Sequence, residues 1–399
     1  MTAPDIDLAS ATSFEVGHPW EQYAWLRRNA PVYWHREPDG PGFWAVTTHK
    51  EISAVSRQPR VYSSHAGGIR LNDPDPATLD AARKMMLTMD PPQHDRHKQL
   101  VGATFSRRNV AVLAEGIGRL CDEIIDDLGD REQCDFVQDI AGRLPSGVIA
   151  ELIGIPRADG EQLYRLTEII HTSDSAYATP ADRTRAREEM LEYLAGVARD
   201  KRRHPDTAIA SALLSATVDG DQLTDDEFGM FLLLLINAGG DTTRNLLADG
   251  MQLLFDHPAD RHRLAADLDG LLPTAIEELL RFVSPVIHFR RTALQETVLR
   301  DTPIRVGDKV VVYYGSGNRD EDVFDQPDRF DITRNPNPHM AFGGGGPHLC
   351  LGLHIARVEI DAMLRRLLTR LPGLAPDGPA PRLPSNLIAG PRSMPVRLR

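Results

Sequence analysis

The apolar residues Leu113, Ile117, Leu120, Ile124 and Leu128 recur at the spacing of one helix face, and Ile360, Leu364, Leu367 and Leu371 repeat that spacing near the C-terminus. Cys121 lies inside the first stripe, where a thiol behaves as a small buried hydrophobe. The segment LTDDEFGMFLLLLINAGGDTTRNLLADGMQLLFDHP predicts one long helix, with Thr224 and Glu227 as a capping box at its start and His257-Pro258 at its end. At about 1.5 Å per residue such a helix crosses most of a domain. Two runs of β-branched and aromatic residues flank a Pro/Gly/Asp turn in PVYWHREPDGPGFWAVTTH, which predicts a hairpin, and PIRVGDKVVVYY predicts a second strand pair. The stretches 63–94 and 171–185 follow neither period and read as long loops of the kind that form lids or ligand walls. With no repeat, low-complexity tract or clear linker, the pattern is mainly helical with small β-sheets (α+β), and 399 residues allow one large domain or two or three average ones.

Composition narrows the class. The chain of 399 residues is 41% hydrophobic and 26% charged, which is ordinary for a folded globular protein. A net charge of -12 argues against general nucleic-acid binding, which needs an excess of Lys and Arg. The most apolar run, FLLLLI, falls far short of the roughly 20 residues that span a bilayer. The opening MTAPDIDLAS lacks the basic and apolar parts of a signal peptide, and three cysteines form no disulfide framework. The expectation is a cytoplasmic protein without a membrane anchor.

Two segments carry chemistry. Gly239 and Gly240 each cost about 1 kcal/mol relative to Ala inside a helix, so close approach of a partner should offset them. Either a flat ligand or a neighbouring helix would serve. Next to them, Asp241 is an acid and the Thr242 hydroxyl can bond back to the Ala238 carbonyl. In AFGGGGPHLCLG, glycines precede Cys350, and an amphipathic helix follows it. A thiol at a helix N-terminus is favoured as thiolate. The spacing matches neither phosphate-binding glycine motif, and no second ligand pair accompanies His348, Cys350 and His354 for zinc. An axial thiolate on haem iron needs a single cysteine, close-lying backbone and cations for the propionates.

Taken in order, AGGDTT, the Glu278 and Arg281 of EELLR, QPDRFD and FGGGGPHLCLG resemble the motifs of the cytochrome P450 monooxygenases, over nearly the whole chain. The resemblance implies a single domain spanning 1–399, with haem b held between the long central helix and the cysteine-loop helix and Cys350 as iron ligand. It implies that Ala238, Gly239, Phe342, Gly343 and Gly352 lie against the haem, that His94, Lys98, Arg291 and His348 meet its propionates, and that Asp241 and Thr242 relay protons. Arg291 is preferred to Arg290 because neighbouring strand residues point to opposite faces. Arg329 would complete a structural charge triad with Glu278 and Arg281. Two departures stand out: Gly343 occupies the usual place of a phenylalanine, with Phe342 one residue further back, and Lys98 replaces the usual arginine.

The implied reaction puts one oxygen atom of O2 into a lipophilic small molecule. The cysteine loop and SNLIAGPRSMPV are similar to those of sterol- and branched-lipid-hydroxylating members. Expected pocket walls are the 63–94 loop, the 165–205 region, Leu235, Ala238, Val286, Ile287 and the SNLIAGPRSMPV turn. The sequence holds no flavin, nicotinamide or iron–sulfur fingerprint, so electrons would come from a separate ferredoxin, docking near Arg107, Arg108 and Arg357. The protein is expected to act as a monomer. A haem-thiolate sensor is the alternative, against which the Asp241-Thr242 pair argues.

Overall fold

The computed structural model describes residues 4–38, 40–171, 178–217 and 220–399. The predicted long helix runs Asp225–Asp256, opened by the Thr224/Glu227 capping box and closed at His257. The two amphipathic stripes become the helices Arg107–Asp126 and Leu353–Arg370, and Cys121 is fully buried in the first. These two helices run side by side in the same direction, because Arg366 pairs with Asp122 and Arg370 with Asp126, the same sequence offset in both cases.

The hairpin Val32–His35 with Phe43–Val46 forms as predicted. It belongs to a five-stranded sheet that continues through Lys309–Tyr313 and His288–Ala293 to Tyr62–Ser63. The second expected pair does not form. Thr302–Ile304 turns back on Thr297–Leu299, whereas Lys309–Tyr313 joins the larger sheet, where its wholly buried side chains find a core. The stretch 63–94 is not structureless, since it contains the helix Pro76–Ala82 and a short 3-10 turn. Of the stretch 171–185, residues 172–177 lie outside the described residues, and Pro180 onwards is already helix, started by a Thr179/Asp182 capping box.

The long helix joins two apolar cores. Leu246, Leu247, Met251 and Leu254 pack in one, with the helices Arg107–Asp126, Leu268–Val283 and Leu353–Arg370. Phe228, Phe231, Leu232 and Ile236 pack in the other, with the helices Arg157–His171 and Pro180–Arg203. Residues 237–242 belong to neither. The AGGDTT segment thus lies at the seam between the cores, where pockets form most readily.

Candidate active site

The cysteine loop reaches the same seam. Phe342 and Ile355 join the first core and Leu351 the second, leaving Cys350 between them with reachable surface although it is ringed by protein. On the long helix, Ala238 is exposed and Gly239 and Thr242 are half-exposed, while Gly240 and Thr243 are buried behind them. The Thr242 hydroxyl donates to the Ala238 carbonyl at 2.8 Å, so that carbonyl has a partner besides the helix.

The glycines divide their work. A side chain on Gly240 would meet the Tyr164 ring at 3.0 Å, so this glycine serves helix packing; one on Gly239 would come no closer than 3.4 Å, to Ile149. In the loop, a Cβ on Gly344 would lie 2.5 Å from the Ser56 hydroxyl, and one on Gly346 would lie 2.3 Å from the Ser56 carbonyl oxygen. The run therefore presses against the end of the helix His49–Ser56, and clearance for a flat ligand remains only at Gly343 and Gly352. Gly343 has φ of +104°, which lets the chain turn so that the Phe342 carbonyl accepts the Cys350 N–H at 3.0 Å. The Phe342 ring itself lies under the Arg357 guanidinium, 4.6 Å away.

The helix that follows the loop begins only at Leu353, after Cys350, and burial pushes the thiol up despite the Gly352 N–H and the nearby charges of Lys98 and Arg357.

Four basic side chains gather near the loop. The His94 and His348 rings are 4.4 Å apart, and burial, then the charges of Arg291, His94 and Lys98, brings His348 down to about 2. Buried Arg291 donates to the Arg290 carbonyl at 2.8 Å, whereas Arg290 points the other way, onto Asp73 at 2.6 Å. Lys98 donates to the carbonyls of Pro347 and Leu349. Ser64, fully buried, places its hydroxyl 3.4 Å from His348 Nε2. Two cations, Lys98 and Arg291, beside two imidazoles that can donate hydrogen bonds, without a carboxylate hydrogen-bonded to Arg291 among the described residues, fit a ligand that brings two carboxylates. An accessible thiol between two glycine-cleared surfaces, beside such a cluster, fits haem.

Asp241 is half-buried and paired. Arg244 lies 3.2 Å from it, bonds the Tyr164 hydroxyl and pairs with Glu168 at 3.2 Å, and burial raises Glu168. Sequence spacing gave no sign of Tyr164 and Glu168, which look like ordinary positions of an amphipathic helix. Below the loop, Arg281 and Glu278 are fully buried and joined by two bonds of 2.8 Å. The second guanidinium on Glu278 is that of Arg334, at 3.2 Å; Arg329 is exposed and supplies only a carbonyl to Arg281. Arg357 is bound to Glu277 at 2.6 Å and 2.7 Å, which removes it from a free docking surface.

Fold and site together define a haem-thiolate oxygenase. The cytochrome P450 family model matches residues 177–387. The chain is 38% identical, over 99% of its length and 96% of the relative's, to the steroid C26-monooxygenase of Mycolicibacterium smegmatis. It is 37% identical, over 94% of its length and 90% of the relative's, to the methyl-branched lipid omega-hydroxylase of Mycobacterium tuberculosis. A Mycobacterium marinum cytochrome P450 solved in complex with pseudoionone superposes with a TM-score of 0.91 at 37% identity, covering 100% of this chain and 99% of that one. The protein belongs to the cytochrome P450 family and is a monooxygenase whose cofactor is haem b. Among the described residues, no helix is long and apolar enough to cross a membrane.

Proposed function

We propose that the protein hydroxylates a lipophilic small molecule of the sterol or methyl-branched lipid class, taking electrons from a separate ferredoxin-type donor. The observation that carries this reading is that the long helix and the cysteine-loop helix, tied by the Thr243–Glu359 hydrogen bond, bring Ala238–Thr242 and the Cys350 loop to the seam between two apolar cores. The substrate class draws its support from the named activities of the two mycobacterial relatives. Bound haem supplies an iron at which O2 is activated, so that RH, O2, two electrons and two protons give ROH and water.

The residues of this chain have separable roles. Cys350 would hold the iron through its sulfur and lend it electron density. His94, Arg291 and His348 would hold the propionates. Ala238, Gly239, Gly343 and Gly352 allow flat contact, and the Phe342 carbonyl fixes the cysteine backbone. Thr242 would offer its hydroxyl as a proton donor on the haem side of the long helix, and Asp241, held by Arg244, would pass it protons from solvent. The pocket wall is held by joining distant segments: Val286 bridges to Ile388, and Ile287 donates to the Leu387 carbonyl at 2.9 Å.

Docking of the donor is supported on the cysteine-loop side. The helices Arg107–Asp126 and Leu353–Arg370 run parallel, so exposed Arg107 and Arg108 stand beside the start of the cysteine-loop helix. An acidic ferredoxin would be drawn to that end. The test is a titration of the ferric protein with steroids, methyl-branched fatty acids and hydrophilic controls, followed by product analysis with ferredoxin and reductase. A spectral shift and hydroxylated product with either lipid class support the reading, and response to the hydrophilic controls alone would overturn it.

A further inference from the structure

Lys98 stands where the resemblance places a propionate-binding arginine, yet its ammonium is turned to the cysteine loop. It donates to the carbonyls of Pro347 and Leu349, the latter at 3.4 Å, so it grips both sides of His348 and the residue next to Cys350. Its charge acts on Cys350 as well. A compact ammonium can serve two converging carbonyls from a single point, which a planar guanidinium fork cannot do as readily.

The loop has reason to need such a pin. It carries one residue more than the usual pattern between Phe342 and His348, and Gly343, Gly345 and Gly346 all have positive φ, so the run has no side chains of its own to anchor it. Its internal ties are few: Gly343 N–H to Met340, Leu349 N–H to Gly346 and Cys350 N–H to Phe342. Meanwhile the basic cluster is complete without Lys98, since His94, His348, Arg291 and the buried Ser64 hydroxyl already converge.

We propose that Lys98 is a positioning residue for the iron-bound sulfur, clamping the lengthened cysteine loop and lending it positive charge, while Ser64 joins His94, His348 and Arg291 in holding the propionates. The inference rests on the haem-thiolate reading of the site. Positive charge near the ligand sulfur weakens its donation to iron and favours the reduced state.

The experiment compares holoprotein of the parent, K98M, K98Q, K98R and S64A by reduction potential, by the Fe–S stretching frequency of the ferric form and by the rate of haem loss to a scavenging apoprotein. K98M and K98Q should lower the potential and raise the Fe–S frequency, with haem loss changed less than about twofold, well under 1 kcal/mol. K98R should return the potential towards the parent value. S64A should speed haem loss and leave the Fe–S frequency alone. The proposal is overturned if K98M speeds haem loss about tenfold or more, the measure of a lost charge-assisted bond, while the potential and Fe–S frequency stay at parent values. A parent holoprotein without a thiolate-type carbon-monoxide band would instead overturn the reading of the site.

Discussion

Arg244 lies 3.2 Å from Asp241, one turn further along the same helix, and its guanidinium also binds Tyr164 and Glu168 on the helix Arg157–His171. The acid proposed to relay protons is thus anchored away from Thr242 and needs its charge to exchange partners. Asp241→Asn should keep haem content and slow product formation by about 100-fold, the lower range of a lost acid-base group, with a larger solvent isotope effect. An unchanged turnover rate in that variant would contradict the relay.

Thr242 contributes differently, through a hydroxyl bonded to the Ala238 carbonyl. Thr242→Ala should bind haem and substrate normally but divert reducing equivalents from product to hydrogen peroxide. The ratio of product to NAD(P)H consumed, measured beside peroxide release, checks this. Full coupling in the variant would remove Thr242 from the mechanism.

The cysteine loop depends on backbone contact as much as on the sulfur. Gly346 combines φ of +75° with a Cβ position 2.3 Å from the Ser56 carbonyl oxygen, whereas Gly307, at φ +87°, has open space around it. Gly307→Ala should cost only the left-handed strain, about 1–2 kcal/mol. Gly346→Ala must in addition move the helix His49–Ser56 or the loop, so its thermal midpoint and haem occupancy should both fall well below those of Gly307→Ala. Equal losses would show that the loop does not need this contact.

Much of this arrangement could be read from the sequence because its signals are local. The stripes through Leu113 and Ile360, the Thr224 cap and the Val32–Val46 hairpin depend on spacing within a few residues. The candidate site motifs could be proposed because Cys350, Asp241 and Thr242 belong to short runs. What escaped depends on contacts distant in sequence. The second arginine on Glu278 is chosen by how the loop 327–337 folds, which brings Arg334 rather than Arg329 inward. The strand Lys309–Tyr313 leaves its neighbour because its buried valines fit between the hairpin and His288–Ala293. The glycines before Cys350 gave no hint that Ser56 would be their partner.

Buried Glu359 gives a pH prediction. It is 5% exposed, and burial raises its carboxyl from the usual 4.5 to about 8 although Thr243 bonds to it. The folded protein therefore keeps a proton that the unfolded chain releases, and stability falls as pH rises from 4.5 to about 8. Glu359→Gln should remove this loss, gaining on the order of 5 kcal/mol over the parent in denaturant unfolding at alkaline pH and nothing near pH 4. A gain independent of pH would show that Glu359 does not titrate in this window.

The central claim is that Cys350 binds haem iron through sulfur, and the carbon-monoxide difference spectrum of the reduced holoprotein tests it most directly. The parent, Cys121→Ala and Cys134→Ala should all show the strongly red-shifted Soret band of a thiolate ligand, and Cys350→His should retain haem but lose that band. A parent spectrum at the position of histidine-ligated haem, or a red-shifted band that survives in Cys350→His, would contradict it.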